Sequence, residues 1–393
     1  MPPVVESVAK RPQPRKTPRV IQGITIVGDI IRPDGNGRPG GTDRPVTWLF
    51  NALKRPVHLA TRLPVTLVTA AGCPDIAAWL DRARRPEGAA LHWASLYAAL
   101  PDGSGAEHLL LRHLQDRFCI GYELPPYLIR TLERAGIPWI DIRLHPVRFL
   151  DDLLFAIRAG LPETQAAMPP LSMAESEVIV TAGLREAMCQ LISEATVPPD
   201  TLIVVGQRPM DSSQIAGGGF FDAILHAGEI AAICARYSTV VLKPHPLPDA
   251  VHSLLLVAAQ QPNVRGVITD NLYRMLALPQ VAAVLTVNSS IAYEAGYFGK
   301  AVHALAPLPL RLAWQGEAPD PLGYASLDDR VLTPDFWRLV LAPHVPVTAA
   351  DGMRLAPKPN RLRVALDSFW NFQQIDTDRI PRGSAAPNVM AGR

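Results

Sequence analysis

A chain of 393 residues, 48% of them apolar, can bury two ordinary cores and is too long for one. A formal charge of +2 argues against a dedicated nucleic-acid binder, and no run reaches the roughly 20 apolar residues that span a bilayer. Four cysteines, Cys73, Cys119, Cys189 and Cys234, stand far apart with no CxxC pair, which argues against a zinc site or disulfide scaffold and for a reducing compartment.

Residues 1–20 carry Lys10, Arg11, Arg15, Lys16 and Arg19 against Glu6, a local +4, so the remainder carries −2. This proline-rich stretch lacks apolar periodicity and reads as a disordered basic arm, either solubilising or docking on an anionic membrane surface. It lacks an apolar run beside a cleavage site, so a secretory signal is not expected. The expectation is a cytoplasmic protein, with peripheral association at the inner face of the membrane as an option. Residues 24–28 read as a buried strand, followed by a Gly/Pro-rich loop from Arg32 to Arg44. Further strands are predicted at 65–70, 118–124 and 139–144, with a helix at 126–135. Apolar residues at helical spacing over 147–158 predict another helix, and 159–173 reads as a linker. A first α/β domain is therefore expected over 21–165.

A second domain is expected over 175–345. Its strands are predicted at 201–206, 239–243, 264–269, 281–287 and 301–306, with helices at 221–236, 249–260, 271–278 and 290–299. This alternation implies a doubly wound parallel sheet with ligands at the strand C-termini. Residues 346–380 contain a helical segment (361–370), and 381–393 read as a disordered tail.

Three segments of the second domain follow strand C-termini, so the fold itself would gather them at one edge. They are Gly206 to Gln214, with Gln207, Asp211 and Ser212, and then Gly217 and Gly218; Lys243-Pro244-His245-Pro246; and Asn288-Ser289-Ser290, one turn before Glu294. Each has a plain structural alternative: a rigid proline turn, a helix N-cap, a surface turn, and a glycine run without the GxGxxG spacing. Together they suit an anionic ligand. Ser289 and Ser290 could bind a phosphate or sugar carboxylate, and Lys243 and His245 could neutralise a phosphate leaving group. Glu294 could accept hydrogen bonds from ribose hydroxyls. No acidic pair in these three segments resembles a metal-binding DxD.

With Gln207 to Asp211 as Q-x-x-x-D, His245-Pro246, and Ser289, Ser290 and Glu294, the sequence resembles the bacterial retaining β-Kdo glycosyltransferases of the KpsC/WbbB type, which build capsule polysaccharide and lipopolysaccharide O-antigen. Gly121-Tyr122-Glu123-Leu124-Pro125 and His145 to Leu150 extend the resemblance, which spans roughly residues 115–305. It implies a GT-B arrangement, two Rossmann-like domains across a cleft, with the donor on the C-terminal one and the acceptor on the N-terminal one. It also implies CMP-Kdo as donor, no metal or other cofactor, and a glycan or lipid-linked glycan as acceptor. Retention would run through a covalent sugar adduct on Asp211, with Glu123 taking the acceptor proton; a strand-end charge is the plain alternative for Glu123. His145 and Arg148 read as structural. A polysaccharide-synthase complex is a conceivable partner and nucleic acid is not expected.

Two rival readings remain open: a GT-B enzyme using CMP-sialic acid or a UDP-sugar, and a non-catalytic glycan-binding subunit of a polysaccharide synthase. The carboxylates at Asp211 and Glu123 argue against the second, because a pure binder needs neither.

Overall fold

The computed structural model describes residues 20–83, 88–192, 196–245, 252–269, 271–318, 320–356, 358 and 360–366. Residues 1–19 of the expected basic arm, Pro246 and the expected tail over 381–393 lie outside the described residues.

Short Val- and Ile-rich runs form β1 (Gly23–Val27), β2 (Val65–Val68), β3 (Arg117–Tyr122), β4 (Trp139–Leu144) and β5 (Phe155–Ala159). The first four are parallel in the order β2-β1-β3-β4. The connecting helices are α1 (Asp43–Thr61), α2 (Pro74–Ala83), α3 (Ala89–Tyr97), α4 (Ala106–Leu114) and α5 (Pro126–Ala135). α5 shows why local chemistry sets these boundaries. Pro126 occupies the first turn, where a missing N–H costs nothing, and Gly136 closes the helix at φ 66°, donating to the carbonyls of Leu132 and Glu133.

The helix expected over 147–158 is absent. Residues 155–159 are instead β5, antiparallel to β4, with Phe155, Ala156 and Ile157 fully buried. A run covered on both faces shows no strand alternation, so its apolar spacing mimics a helix. The loop before it serves two cores: Val147, Phe149, Leu150 and Leu154 pack with the second sheet, while Leu153 and Phe155 pack with the first. The expected linker contains α6 (Pro162–Ala167), and α7 (Glu175–Ile192) leads into the second unit.

That unit has β6 (Thr201–Val205), a hairpin of β7 (Ile215–Ala216) and β8 (Gly219–Phe220), then β9 (Thr239–Lys243), β10 (Val264–Val267), β11 (Val281–Thr286) and β12 (Ala301–Ala304). Its five long strands are all parallel, in the order β10-β9-β6-β11-β12. The helices are α8 (Ala227–Cys234), α9 (Ser253–Ala258), α10 (Leu272–Leu276) and α11 (Ile291–Tyr297).

The expected second domain does not run to residue 345. From β13 (Arg311–Ala313) and β14 (Gly323–Leu327) the chain returns to the first sheet, where β14 pairs antiparallel with β5. α12 (Pro334–Leu341) lies on α1, and Phe336, Trp337, Val340 and Leu341 join the first core. The physical reason is that β5 would otherwise expose an unpaired edge. Leu362 of the short α13 (Arg361–Leu366) completes that core. Two Rossmann-like α/β units thus face each other across a cleft, the GT-B-like arrangement expected from the sequence. Among the described residues, no helix is long and apolar enough to cross a membrane.

Candidate functional site

Strand order reverses between β1 and β3 in the first sheet and between β6 and β11 in the second. A parallel sheet leaves a crevice at such a point, beyond the strand C-termini. The two crevices open onto one shared cavity of about 500 Å³. Asp211, Gln207 and Ser212 after β6, Lys243 and His245 after β9, and Asn288, Ser289, Ser290 and Glu294 after β11 all line it. So does Glu123, on the opposite wall. Gly217 and Gly218 are not among its lining residues. At φ 59° and 83° they form the turn of the β7–β8 hairpin, which packs on α3. That left-handed backbone needs glycine for conformation and assigns it no ligand.

The loops around Asp211 are joined by a buried amide network. Gln207 Oε1 accepts from Asn288 N (2.8 Å) and Thr286 Oγ1 (3.2 Å), while Gln207 Nε2 donates to Asn288 Oδ1 (3.1 Å). Asn288 Nδ2 in turn donates to the Ser213 carbonyl at 2.6 Å. Gln207 and Asn288 therefore span the β6–β11 crevice and fix the Asp211 loop, and most of their hydrogen-bonding capacity is used by protein. Asp211 Oδ1 accepts the Ser213 N–H (2.9 Å), which fixes the carboxylate plane. Its Oδ2 makes no hydrogen bond among the described residues. His252, an unpredicted contributor, supports the loop from behind: Nδ1 caps the Leu254 N–H, so Nε2 donates to Gln214 Oε1 at 2.7 Å. Gln214 Nε2 donates to the Arg208 carbonyl. Ser290 occupies the N-cap position of α11, but its side chain makes no capping bond.

Glu123 ends β3 with φ 51°, a left-handed conformation unusual for a residue with a Cβ. Its N–H donates to the Ile142 carbonyl at 3.0 Å, and this holds the strained turn. Such strain accumulates at functional sites, where surrounding structure enforces it. Burial pushes its carboxyl above the usual carboxylate range; Arg143 and Arg32 pull the other way, and the charge of Asp211 adds to the rise. Arg32 Nη1 lies 3.9 Å from Glu123 Oε2.

Glu294 does not wait for a ligand with both oxygens. Its Oε1 accepts the Arg148 backbone N–H at 2.6 Å and the Tyr273 hydroxyl at 2.9 Å, and burial lifts its carboxyl to about 7. It ties α11 to the loop after β4. His145, as expected, is structural: Nδ1 accepts the Val147 N–H, Nε2 donates to Ser326 Oγ at 3.1 Å, and burial lowers its pKa to about 3.

The sequence reading missed the arginines. Arg32, Arg143, Arg148 and Arg208 all line the cavity. Arg143 is placed by Asp141, which accepts from its Nε at 2.8 Å. Arg148 and Arg208 lie within segments singled out above, where Arg148 reads as structural, but the four converge only when the two sheets face each other. Together with Lys243 they outnumber Asp211, Glu123 and Glu294, so the cavity favours an anionic ligand. A fixed carboxylate on one wall, a second with a raised pKa on the other, and cations between them can support displacement at an anionic, phosphate-activated carbon. Among the described residues, no three His, Cys, Asp or Glu side chains gather as a metal-ligand set.

No protein-family model matches the chain, and no curated protein matches it. Among solved structures it is similar to Thermosulfurimonas dismutans KpsC, beta Kdo 2,4 transferase, at 12% identity, covering 56% of this chain and 79% of that one with a TM-score of 0.35. It is also similar to the beta Kdo 2,7 transferase of the same organism's KpsC, at 12% identity over 81% of this chain and 99% of that one, TM-score 0.33. A UDP-GlcNAc 2-epimerase from Neisseria meningitidis follows at 10% identity, over 81% and 93% of the two chains, TM-score 0.30.

Proposed function

We propose that this protein is a retaining glycosyltransferase that moves Kdo from CMP-Kdo to a bacterial surface glycan without a metal ion. The reading rests on one observation above the others: Asp211 and Glu123, supplied by different sheets, line the same cationic cavity. In the first step an Asp211 oxygen attacks the anomeric carbon, the bond from that carbon to the phosphate oxygen breaks, and CMP leaves with the electron pair. Lys243 and His245 offset the charge on the departing phosphate, and Ser289 and Ser290 hydrogen-bond it. In the second step an acceptor hydroxyl attacks the same carbon, Asp211 departs as carboxylate, and Glu123 takes the hydroxyl proton. Gln207, Asn288 and Glu294 act by holding the loops in place. A single donor phosphate and a cavity lining whose carboxylates, Glu123, Asp211 and Glu294, include no DxD pair motivate the metal independence.

The test is release of nucleotide from a panel of CMP-Kdo, CMP-sialic acid and UDP-sugars, with and without EDTA. CMP-Kdo should be consumed at least tenfold faster than the others, and chelation should leave the rate unchanged. Preference for a UDP-sugar, or activity lost to EDTA and restored by magnesium or manganese, contradicts the proposal. No turnover of any donor favours the glycan-binding subunit.

A further inference from the structure

Arg148 is a cavity cation that no ion pair of 4.0 Å or less ties down among the described residues, and the Glu294 carboxyl is close enough to feel its charge. Its guanidinium lines the cavity, and its Nε is shielded from solvent with no hydrogen-bond partner. Among the described residues, its side chain makes no hydrogen bond and no ion pair of 4.0 Å or less. Arg143, by contrast, is paired with Asp141, and Arg32 sits beside Glu123.

The backbone of Arg148 is held from both sides. Glu294 Oε1 accepts its N–H at 2.6 Å, and Arg363 Nη2 donates to its carbonyl at 2.6 Å and to that of Leu150 at 2.9 Å. Arg185 Nε donates to the Phe149 carbonyl at 3.2 Å. Asp152 accepts the N–H groups of Leu362 and Arg363, at 2.9 and 3.0 Å, which anchors α13 to this loop. A partly desolvated guanidinium on a fixed backbone is costly in the empty site and becomes favourable when an anion arrives. Its place matters too. Lys243 and His245 follow β9, on one side of β6, whereas Arg148 adjoins Glu294 of α11, which follows β11 on the other side. The cavity thus has separated cationic positions, which a ligand with two anionic groups can satisfy together.

We infer that Arg148 is a specificity residue that binds a carboxylate carried by the transferred sugar, while Lys243 and His245 take the donor phosphate. This deepens the proposed function and rests on it. A forked guanidinium matches a carboxylate in two parallel hydrogen bonds, geometry that lysine cannot reproduce. Neutral sugars would cover Arg148 without giving its guanidinium a partner and would be rejected for that reason.

The test compares CMP with CMP-Kdo on the full chain, using calorimetry for CMP affinity and donor-hydrolysis kinetics for CMP-Kdo. Arg148→Gln should raise the KM for CMP-Kdo about ten- to a hundredfold. CMP affinity should stay within about threefold, since CMP lacks the carboxylate. Arg148→Lys, which keeps the charge and not the fork, should fall between the two and retain the wild-type melting temperature. Equal losses for CMP and CMP-Kdo would assign Arg148 to the phosphate, or to the fold alone, and overturn the inference. An unchanged KM in an active Arg148→Gln enzyme would overturn it while leaving the proposed function standing. A wild-type protein that neither binds nor turns over CMP-Kdo would remove both.

Discussion

The carboxyl of Glu294 is enclosed by protein, and the two hydrogen bonds its Oε1 accepts offset only part of what burial does to the charged form. Its folded pKa of about 7 lies above its ordinary value of 4.5. A raised pKa means the folded state holds the proton more tightly, so Glu294 adds stability that is complete below about 4.5 and is lost as the pH rises through about 7. The span corresponds to roughly 3 kcal/mol as an upper bound. Glu294→Gln, which keeps the shape and removes the titration, should therefore flatten the decline in urea midpoint between pH 5 and 8. A variant declining as steeply as wild type would show that Glu294 is ionised at little cost. In the proposed transfer, Glu123 relies on the same physics. Its raised pKa makes it a stronger base once ionised, as proton abstraction requires, and its left-handed backbone fixes where that base stands.

At the scale of elements, the buried network of Gln207 and Asn288 decides where Asp211 points. Both side chains bridge loops after β6 and β11, so truncating either strands the other's polar atoms. Gln207→Ala and Asn288→Ala should each cost about 1–3 kcal/mol of stability. The double variant should cost much less than their sum, because they break one network. Additive losses in chemical denaturation would show that the two act independently. Legibility in the sequence divides along the same line. β4 and α5 fall on their predicted residues because each is bounded by local signals, Pro126 and Gly136 among them. Asp211, Lys243 and Ser290 were found because strand–helix alternation puts the ends of parallel strands at one edge. β5 was misread because burial on both faces erases its alternation. Gly217 and Gly218 fall in a hairpin turn outside the cavity lining, and sequence cannot separate that turn from a phosphate loop because both ask for the same residue.

At the scale of the whole molecule, the site exists only because two separately folded sheets present their C-terminal edges to each other. The cavity arginines were illegible for that reason, as was the return of residues 311–366 to the first unit. In the proposed mechanism each wall carries one chemical step: Asp211 on the second unit takes the sugar, and Glu123 on the first unit deprotonates the acceptor that removes it. The two steps should therefore separate. Asp211→Asn should lose transfer by at least about a thousandfold with CMP affinity retained. Glu123→Gln should still take the sugar but release it slowly. Intact-protein and peptide mass spectrometry of Glu123→Gln incubated with CMP-Kdo tests this directly. One added Kdo should accumulate on the peptide containing Asp211, disappear in the double variant with Asp211→Asn, and be barely populated in wild type given acceptor. An adduct on any other peptide, or wild-type transfer with no adduct in Glu123→Gln and full activity in Asp211→Asn, would contradict it.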